Sequence, residues 1–258
     1  MTSQAEKAHR FRALHEGEPF VIPNPWDVGS ARVLEGLGFE ALATTSSGLA
    51  FTLGRRDGGA TLEDVAAHVE AVAAATTIPL SADLEDMYDD PASTVRRVAE
   101  AGAVGGSIED YDGSALYTVD DAVARLTDAV AAARALPFPF LVTARAENHI
   151  RGNPDLPDTI ARLRAYEAAG ADVLYAPGLR APDDIAAVCA AVSRPVNVLA
   201  LPGMRFDEIA AAGAQRVSVG GGLTWAAADR FIAAARVIRE DGDFSVLRAE
   251  HSPREWLA

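Results

Sequence analysis

Short β-rich runs alternate with alanine-rich segments of helical period along most of the chain, and this alternation restricts the possible folds more than any other feature. Glycine-containing phrases such as EGLGFEA and EAAGADV precede several of the runs, which is typical of a helix end followed by a strand. The eight predicted strands span 20–24, 41–46, 79–85, 105–110, 140–147, 173–178, 196–203 and 216–221.

Eight parallel strands with intervening helices predict a (β/α)₈ TIM barrel, with residues 1–240 as its single domain. An open, doubly wound α/β sheet is the alternative. The last residues, 241–258, form a predicted C-terminal helical extension beyond a barrel that is already complete. Its sequence, DGDFSVLRAEHSPREWLA, is too apolar for a solvated tail, so we expect it to pack on a neighbouring subunit.

The composition excludes several classes of partner. A formal charge of −14 argues against nucleic acid and anionic membranes, which attract basic surfaces. The first residues lack the apolar centre of a signal peptide and no window is long enough to cross a bilayer, so we expect a cytoplasmic protein. A single cysteine, Cys189, leaves neither disulfides nor a cysteine-rich zinc site.

Acidic residues cluster where the third predicted strand ends, in LSADLEDMYDD. In a TIM barrel this end of each strand borders the active site. Asp83 and Glu85 are two positions apart and should point the same way, with Glu109 at the matching height on the next strand. Three such carboxylates would repel one another unless a cation neutralised them. Oxygen ligands without His or Cys favour Mg²⁺ or Mn²⁺.

The other acidic residues of this stretch have a structural interpretation. Asp86, Asp89 and Asp90 follow the predicted strand and precede Pro91, where a helix is expected to begin. Acidic side chains cap helix N-termini and interact favourably with the helix dipole.

Two further strand ends carry candidate binding groups. The stretch TTSSGLAFTLGRRDGG could bring backbone N–H groups close to an anion at Gly48, and Asp57 could return toward the metal. Arg145 ends VTAR, and its guanidinium has the geometry to hold a carboxylate or phosphonate. A salt bridge from Arg145 to Glu109 or Glu147 is the alternative.

The motifs SSGL, GRRD, ADLED, SIED and TAR, in this order, resemble the isocitrate lyase/phosphoenolpyruvate mutase superfamily, and the resemblance extends from PNPWDVGSARVLEGLGFEALATTSSGL to RVSVGGGL. It implies that Asp83 binds Mg²⁺ directly, while Asp57, Glu85 and Glu109 hold the ion through water. It also implies that Arg145 binds the group that is cleaved or transferred. Asp57, Glu109 and Arg145 are therefore the predicted catalytic residues.

The resemblance further implies that small residues after strand two line a pocket for the oxygens of a pyruvyl or enolpyruvyl unit. Polar groups at other strand ends complete this pocket. The predicted substrate-binding residues are Ser46, Ser47, Gly48, Leu49, Asp83, Arg145 and Asn197.

The loop after strand four departs from the superfamily pattern. Isocitrate and methylisocitrate lyases resemble one another in a Cys-Gly-His loop there, whose thiol acts as acid, whereas this chain has IEDYDGSALYTVDD without Cys or His. The longer gating loop of phosphonomutases, with Lys and Asn, is also missing. Tyr88 and Tyr111 are the candidate proton donors that remain near this rim.

The sequence therefore predicts a Mg²⁺-dependent carbon–carbon lyase or decarboxylase that acts on a small 2-oxo or hydroxy dicarboxylate through an enolate intermediate. Phosphoenolpyruvate mutase or phosphonopyruvate hydrolase chemistry, which breaks a phosphorus–carbon bond, is the first alternative. A non-catalytic 2-oxo-acid binding protein is the second. By resemblance, we expect a homotetramer or homodimer.

Overall fold

A computed structural model describes residues 2–257 and contains eight parallel strands in one sheet. A backbone hydrogen bond of 3.1 Å from the N–H of Ala43 to the carbonyl of Pro23 links the first two strands, so the sheet is nearly closed. The TIM barrel prediction is confirmed, and each predicted strand is present but ends earlier than predicted. The strands are β1 (Phe20–Ile22), β2 (Leu42–Ala43), β3 (Leu80–Asp83), β4 (Gly105–Glu109), β5 (Leu141–Arg145), β6 (Val173–Tyr175), β7 (Val196–Leu199) and β8 (Arg216–Ser218).

Helices connect the strands on the outside of the barrel, and several begin at a Ser, Thr or Asp side chain that accepts a hydrogen bond from the first turn. None of the helices within residues 2–257 has the length and apolar character needed to cross a bilayer. The α-helices are α1 (Gln4–Leu14), α2 (Val28–Gly36), α3 (Ser46–Thr52), α4 (Leu62–Ala75), α5 (Pro91–Glu100), α6 (Val119–Arg134), α7 (Leu156–Ala168), α8 (Pro182–Ala191), α9 (Phe206–Ala211) and α10 (Gly222–Asp241). Two short 3₁₀-helices follow, at Ser245–Leu247 and Pro253–Trp256.

The interior of the barrel is closed at its N-terminal end by α1. Phe11 of α1 is fully buried and packs with Phe20 of β1, Val104 and Val173. We call this end the floor of the barrel, and the opposite end, where the strands finish, the rim. Because the floor is packed with side chains, a small ligand can reach the barrel axis only from the rim.

Helix α10 is the least buried of the long helices. Only Thr224 and Ala228 are buried on it, whereas Trp225, Phe231 and Ile232 are 49%, 71% and 47% exposed. Monomeric proteins rarely present so much apolar surface on one helix.

The C-terminal extension begins as α10 ends. Trp256 packs against Gly36 of α2 in the same chain, where an added Cβ would come within 2.0 Å of the indole ring. Phe244 and Leu247, by contrast, are 66% and 63% exposed. Packing of this segment on a neighbouring subunit stays a prediction.

Candidate active site

A small cavity of about 60 Å³ lies on the barrel axis below the rim. We call it the axis cavity. Three predicted site residues line it: Asp83 from β3, Arg145 from β5 and Asn197 from β7. Its other walls include Ser107, Thr143, Tyr175, Arg216 and Ser218. A carboxylate and a guanidinium therefore face the same small space.

Hydrogen bonds fix the carboxylate of Asp83 at the end of β3. One oxygen accepts from the backbone N–H of Ser46 at 2.9 Å, and the other accepts from the Ser107 hydroxyl at 3.2 Å. The backbone N–H of Asp83 donates to the Thr44 hydroxyl at 2.8 Å. Asp83 is thus held in place by hydrogen bonds with three neighbouring residues.

The prediction that Glu85 continues the strand of Asp83 is wrong, because β3 ends at Asp83 and Glu85 adopts a left-handed backbone with φ of 51°. The carbonyl of Glu85 accepts a hydrogen bond of 2.8 Å from the N–H of Glu109, so the two residues are still neighbours. Burial, followed by the negative charges of Asp83 and Asp57, raises the pKa of Glu85 to about 7.

The segment after Glu85 is strained, since Met87 and Tyr88 also have positive φ, at 62° and 55°. Its carbonyls are held by side chains of two helices. Arg125 of α6 donates to the carbonyls of Asp86 and Tyr88, and Thr94 of α5 donates to that of Met87. Three non-glycine residues with positive φ within four positions mark a loop whose backbone is held in a strained conformation by the surrounding structure.

Glu109 ends β4 next to Arg145, with 3.5 Å between its carboxylate and the guanidinium. Burial nevertheless raises its pKa, because desolvation outweighs the attraction of Arg145. One buried oxygen of Glu109 and one of Glu85 accept no hydrogen bond from any residue in 2–257. The Glu109 oxygen faces the Arg145 guanidinium at 3.5 Å, whereas the Glu85 oxygen has no ion-pair partner in residues 2–257 and could accept from a ligand.

These residues fit a hydrated divalent cation. Within residues 2–257, no three His, Cys, Asp or Glu side chains are arranged as a direct cage. An ion at Asp83 would therefore take few protein ligands and reach Glu85 and Glu109 through water, as Mg²⁺ prefers. Asp57 lies exposed on the loop after α3, and its charge acts on Glu85.

Arg145 makes the salt bridges that were the alternative to ligand binding, and it also lines the axis cavity. Its Nε donates to Glu147, a fully buried carboxylate that also pairs with Arg151 at 2.9 Å. Burial lowers the pKa of Arg145, but the neighbouring carboxylates, Glu109 first, raise it well above its usual value. Arg145 is therefore a permanently charged and immobile group.

The SSGL stretch is not the open loop that the sequence analysis expected. It forms the first turns of α3, and the N–H of Ser46 is already bonded to Asp83. Gly48 packs so closely that an added Cβ would lie 2.6 Å from Thr45. The lack of a Cβ at Gly48 therefore allows α3 to pack closely, and binding of a ligand by this stretch stays a prediction.

Ser47 and Leu49 do not line the axis cavity. The Ser47 hydroxyl lies 3.1 Å from that of Thr45, and Leu49 is buried in the core. Of the predicted residues in SSGL, Ser46 alone contacts the described site, through Asp83. The structural interpretation of Asp90 is confirmed, since it is the N-cap of α5.

Sequence reasoning missed two buried residues that line the axis cavity, Tyr175 and Arg216. Arg216 donates to Asn197 at 2.8 Å and to Thr143 at 3.0 Å, and its third contact is Nε2 of His15 at 3.2 Å. Burial lowers the pKa of Arg216 to about 10. Both residues occupy inward-facing positions of their strands. The alternation of inward and outward side chains along β6 and β8 was therefore the sequence signal that could have identified them.

The chain belongs to the phosphoenolpyruvate phosphomutase family, whose model matches residues 11–239. This places it in the isocitrate lyase/phosphoenolpyruvate mutase superfamily, whose enzymes generally use a divalent metal. Relatives of the chain include proteins named 2-methylisocitrate lyase and oxaloacetate decarboxylase.

Three similar proteins illustrate this relationship. A solved structure from Burkholderia cenocepacia J2315, described only as a lyase/mutase, is 52% identical with a TM-score of 0.94, covering 98% of this chain and 95% of that one. The uncharacterized protein MT2054 of Mycobacterium tuberculosis is 36% identical over 165 residues, 63% of this chain and 62% of its own. The oxaloacetate decarboxylase of Paraburkholderia xenovorans is 34% identical over 184 residues, 66% of this chain and 60% of its own. The chain thus spans about three fifths of the curated relatives it matches.

Proposed function

We propose that this protein is a Mg²⁺-dependent carbon–carbon lyase that decarboxylates a small 2-oxo dicarboxylate such as oxaloacetate. The observation that carries the proposal is the placement of Asp83 and Arg145 on one cavity of about 60 Å³, near Glu85 and Glu109, each of which has one buried oxygen that accepts no hydrogen bond in residues 2–257. A cavity of this size holds a few water molecules and suits a compact diacid. The similarity to an oxaloacetate decarboxylase supports the same reaction.

The metal ion would be held by Asp83 directly and by Glu85, Glu109 and Asp57 through water. When bound, Mg²⁺ supplies Lewis acidity to the oxygens of a 2-oxo carboxylate. The protein contributes by fixing Asp83 with hydrogen bonds from Ser46 and Ser107 before any ligand arrives. This preorganisation avoids the cost of reorienting the carboxylate during the reaction.

Arg145 is the group that recognises the second carboxylate of the substrate. Its guanidinium is buried, permanently charged and held by Glu147, so it can orient the carboxylate that leaves as CO₂. Glu109 lies 3.5 Å from another nitrogen of the same guanidinium and balances its charge when no substrate is bound. Ligand binding would therefore shift the main partner of Arg145 from Glu109 to the substrate.

The loop after β4 contains no cysteine or histidine that could act as a proton donor to a carbanion. Tyr111 is the candidate proton donor in that loop. Its hydroxyl donates instead to the carbonyl of Gly113, at 3.0 Å, on an exposed turn. Cleavage of isocitrate leaves a carbanion that must be protonated in place, and loss of a positioned acid typically costs about 10²- to 10⁴-fold in rate. Decarboxylation depends less on a positioned proton donor, because CO₂ leaves without a proton.

The test is a substrate panel with saturating Mg²⁺. We expect oxaloacetate to be turned over at least about 10²-fold faster than isocitrate or 2-methylisocitrate, measured as pyruvate, glyoxylate and succinate separately. Efficient release of glyoxylate from isocitrate would contradict the proposal. No turnover of any substrate, together with tight binding of oxalate, would favour a binding protein instead.

Phosphorus–carbon bond chemistry is the second candidate, and the match to the phosphomutase family model favours it. Phosphorus NMR of phosphonopyruvate incubated with the protein and Mg²⁺ separates the two. Formation of phosphoenolpyruvate or inorganic phosphate at a rate exceeding that of oxaloacetate consumption would replace the first proposal with this one.

A further inference from the structure

Tyr175 occupies a central position in the site, although nothing in its local sequence indicates chemistry. It is the last residue of β6, in register with Arg145 on β5 and Asn197 on β7. Its side chain is 8% exposed and lines the axis cavity together with Asp83 and Arg145. The Arg145 guanidinium lies 5.2 Å from the centre of its ring. The phenol is therefore next to the place where the proposed substrate would bind.

A chain of hydrogen bonds with a fixed direction leads to Tyr175 from the floor of the barrel. Arg216 has only donors, so the Asn197 oxygen must face it, and this contact is 2.8 Å. The amide nitrogen of Asn197 must then donate to Ser218, at 3.0 Å. Having accepted this bond, Ser218 can turn its own proton to the oxygen of Tyr175.

The direction of the hydrogen bonds at the start of this series, at His15, is also fixed. His15 Nδ1 lies 2.8 Å from the carbonyl of Phe11, to which it must donate, so Nε2 is the acceptor for Arg216. Burial, then the charge of Arg216, lowers the pKa of His15 to about 3, so the ring is neutral. The Nε of Arg216 and the amide nitrogen of Asn197 thus donate in one direction, from the floor toward Ser218.

The consequence concerns the phenolic proton. Burial raises the pKa of Tyr175, while Arg145 and a hydrogen bond with Ser218 lower it, and the net effect is a phenol that keeps its proton at neutral pH. Ser218 has one proton to donate, and when it donates that proton to the Tyr175 oxygen, the phenolic O–H is free to point into the axis cavity. Of the other cavity hydroxyls, Ser107 donates to Asp83, whereas Thr143 accepts from Arg216 and lies two residues nearer the floor than Arg145 on β5.

We propose that Tyr175 is the proton donor to the enolate carbon in the decarboxylation, an assignment that rests on the proposed function. The bond between C3 and the C4 carboxylate breaks, its electron pair stays on the C2–C3 unit as an enolate, and CO₂ leaves. The O–H bond of Tyr175 then breaks, and the enolate electron pair forms the new C3–H bond of pyruvate. The phenolate regains a proton from water after the product departs.

The experiment compares wild type with Tyr175→Phe, which keeps the ring beside Arg145 and removes only the hydroxyl. Oxaloacetate is mixed with excess enzyme and Mg²⁺ in weak buffer, and CO₂ and the keto form of pyruvate are followed separately. We expect both products to appear together in wild type. In Tyr175→Phe, CO₂ should appear first while keto-pyruvate lags, because enolpyruvate is released and ketonises in solution.

Controls separate this role from a structural one. Tyr111→Phe removes a phenol from the same rim without touching the axis cavity and should keep the two signals coincident. Calorimetric binding of oxalate with Mg²⁺ should agree within about threefold between wild type and Tyr175→Phe, since the hydroxyl is not needed for binding. Ser218→Ala should fold and give a shorter lag, because the Tyr175 proton loses its fixed direction.

Coincident signals in Tyr175→Phe, at the wild-type rate, would overturn the assignment. A lag in Ser218→Ala would support it even if Tyr175→Phe folded poorly, and coincident signals in both variants would exclude it. Failure of the wild-type protein to consume oxaloacetate would overturn the proposed function itself, and the assignment with it.

Discussion

The rim and the floor of the barrel both contain buried charge, but they differ in whether the chain itself supplies the groups that stabilise this charge. At the rim, Asp83, Glu85 and Glu109 outnumber Arg145, and two of their buried oxygens accept no hydrogen bond from residues 2–257. At the floor, the buried cation Arg216 donates to three neutral acceptors, on Asn197, His15 and Thr143. The floor is therefore self-sufficient, whereas the rim needs a ligand of positive charge.

Cavity size alone would have identified the wrong end. A cavity of about 650 Å³ lies below the floor, lined by residues such as Arg12, Arg134 and Phe138. None of its lining residues has a buried polar atom without a partner in the described chain. Unsatisfied acceptors and repelling charges indicate a functional site more specifically than volume does.

Removal of Asp83 tests the rim most severely. Asp83→Ala should abolish calorimetric Mg²⁺ binding and reduce metal-dependent turnover by at least about 10³-fold, since the central ligand is lost. Asp89→Ala, which removes an exposed charge from the same loop, is the matched control and should leave both unchanged. Unaltered Mg²⁺ affinity in Asp83→Ala would show that the carboxylate cluster is structural.

Removal of Arg145 tests whether this guanidinium recognises substrate. Arg145→Ala should lower kcat/KM for oxaloacetate by about 10²- to 10³-fold, because the departing carboxylate is no longer oriented. Arg151→Ala removes the other partner of Glu147 without touching the axis cavity. An equal loss in both variants would mean that Arg145 acts only by neutralising Glu147.

A pH titration tests the floor. The His15 ring, facing Arg216, stays neutral in the folded protein down to a pKa of about 3, whereas in the unfolded chain it binds a proton below about 6.5. The free energy of unfolding should therefore fall as the pH is lowered from 6.5, by about 2 kcal/mol between pH 6.5 and 5 from this ring alone.

Urea unfolding of wild type and His15→Gln at pH 7 and pH 5 measures this contribution. The rim carboxylates are present in both proteins, so they cancel in the difference between them. Wild type should lose about 2 kcal/mol more than His15→Gln on acidification. Equal losses would show that the ring is accessible to protons in the folded state.

Local signals were sufficient to predict the barrel and part of the site. Strand periodicity and the glycines at helix ends are readable from the chain, and Asp83, Glu109 and Arg145 follow because strand ends define the rim. The left-handed turn at Glu85 could not be predicted, since it depends on clamping of the following loop by Arg125, a residue of α6.

Other features depend on contacts that are distant in the sequence. Arg216 and Tyr175 gain their roles from partners on other strands, so neither is marked by a local motif. The helical start of SSGL was missed because its N-cap, Thr45, was assigned to a strand. Tertiary packing rather than local preference decides these positions.

The exposed apolar face of α10 has a thermodynamic consequence: stability should depend on how dilute the protein is. If Phe231 and Ile232 are covered by a second copy of the chain, folding and association are coupled, and each tenfold dilution should lower the free energy of unfolding of the assembly by about 1.4 kcal/mol. Thermal unfolding across a hundredfold range of concentration, alongside light scattering, measures this. Phe231→Glu should abolish the dependence by keeping the chain monomeric, and a midpoint that is independent of concentration in wild type would mean that α10 faces water alone.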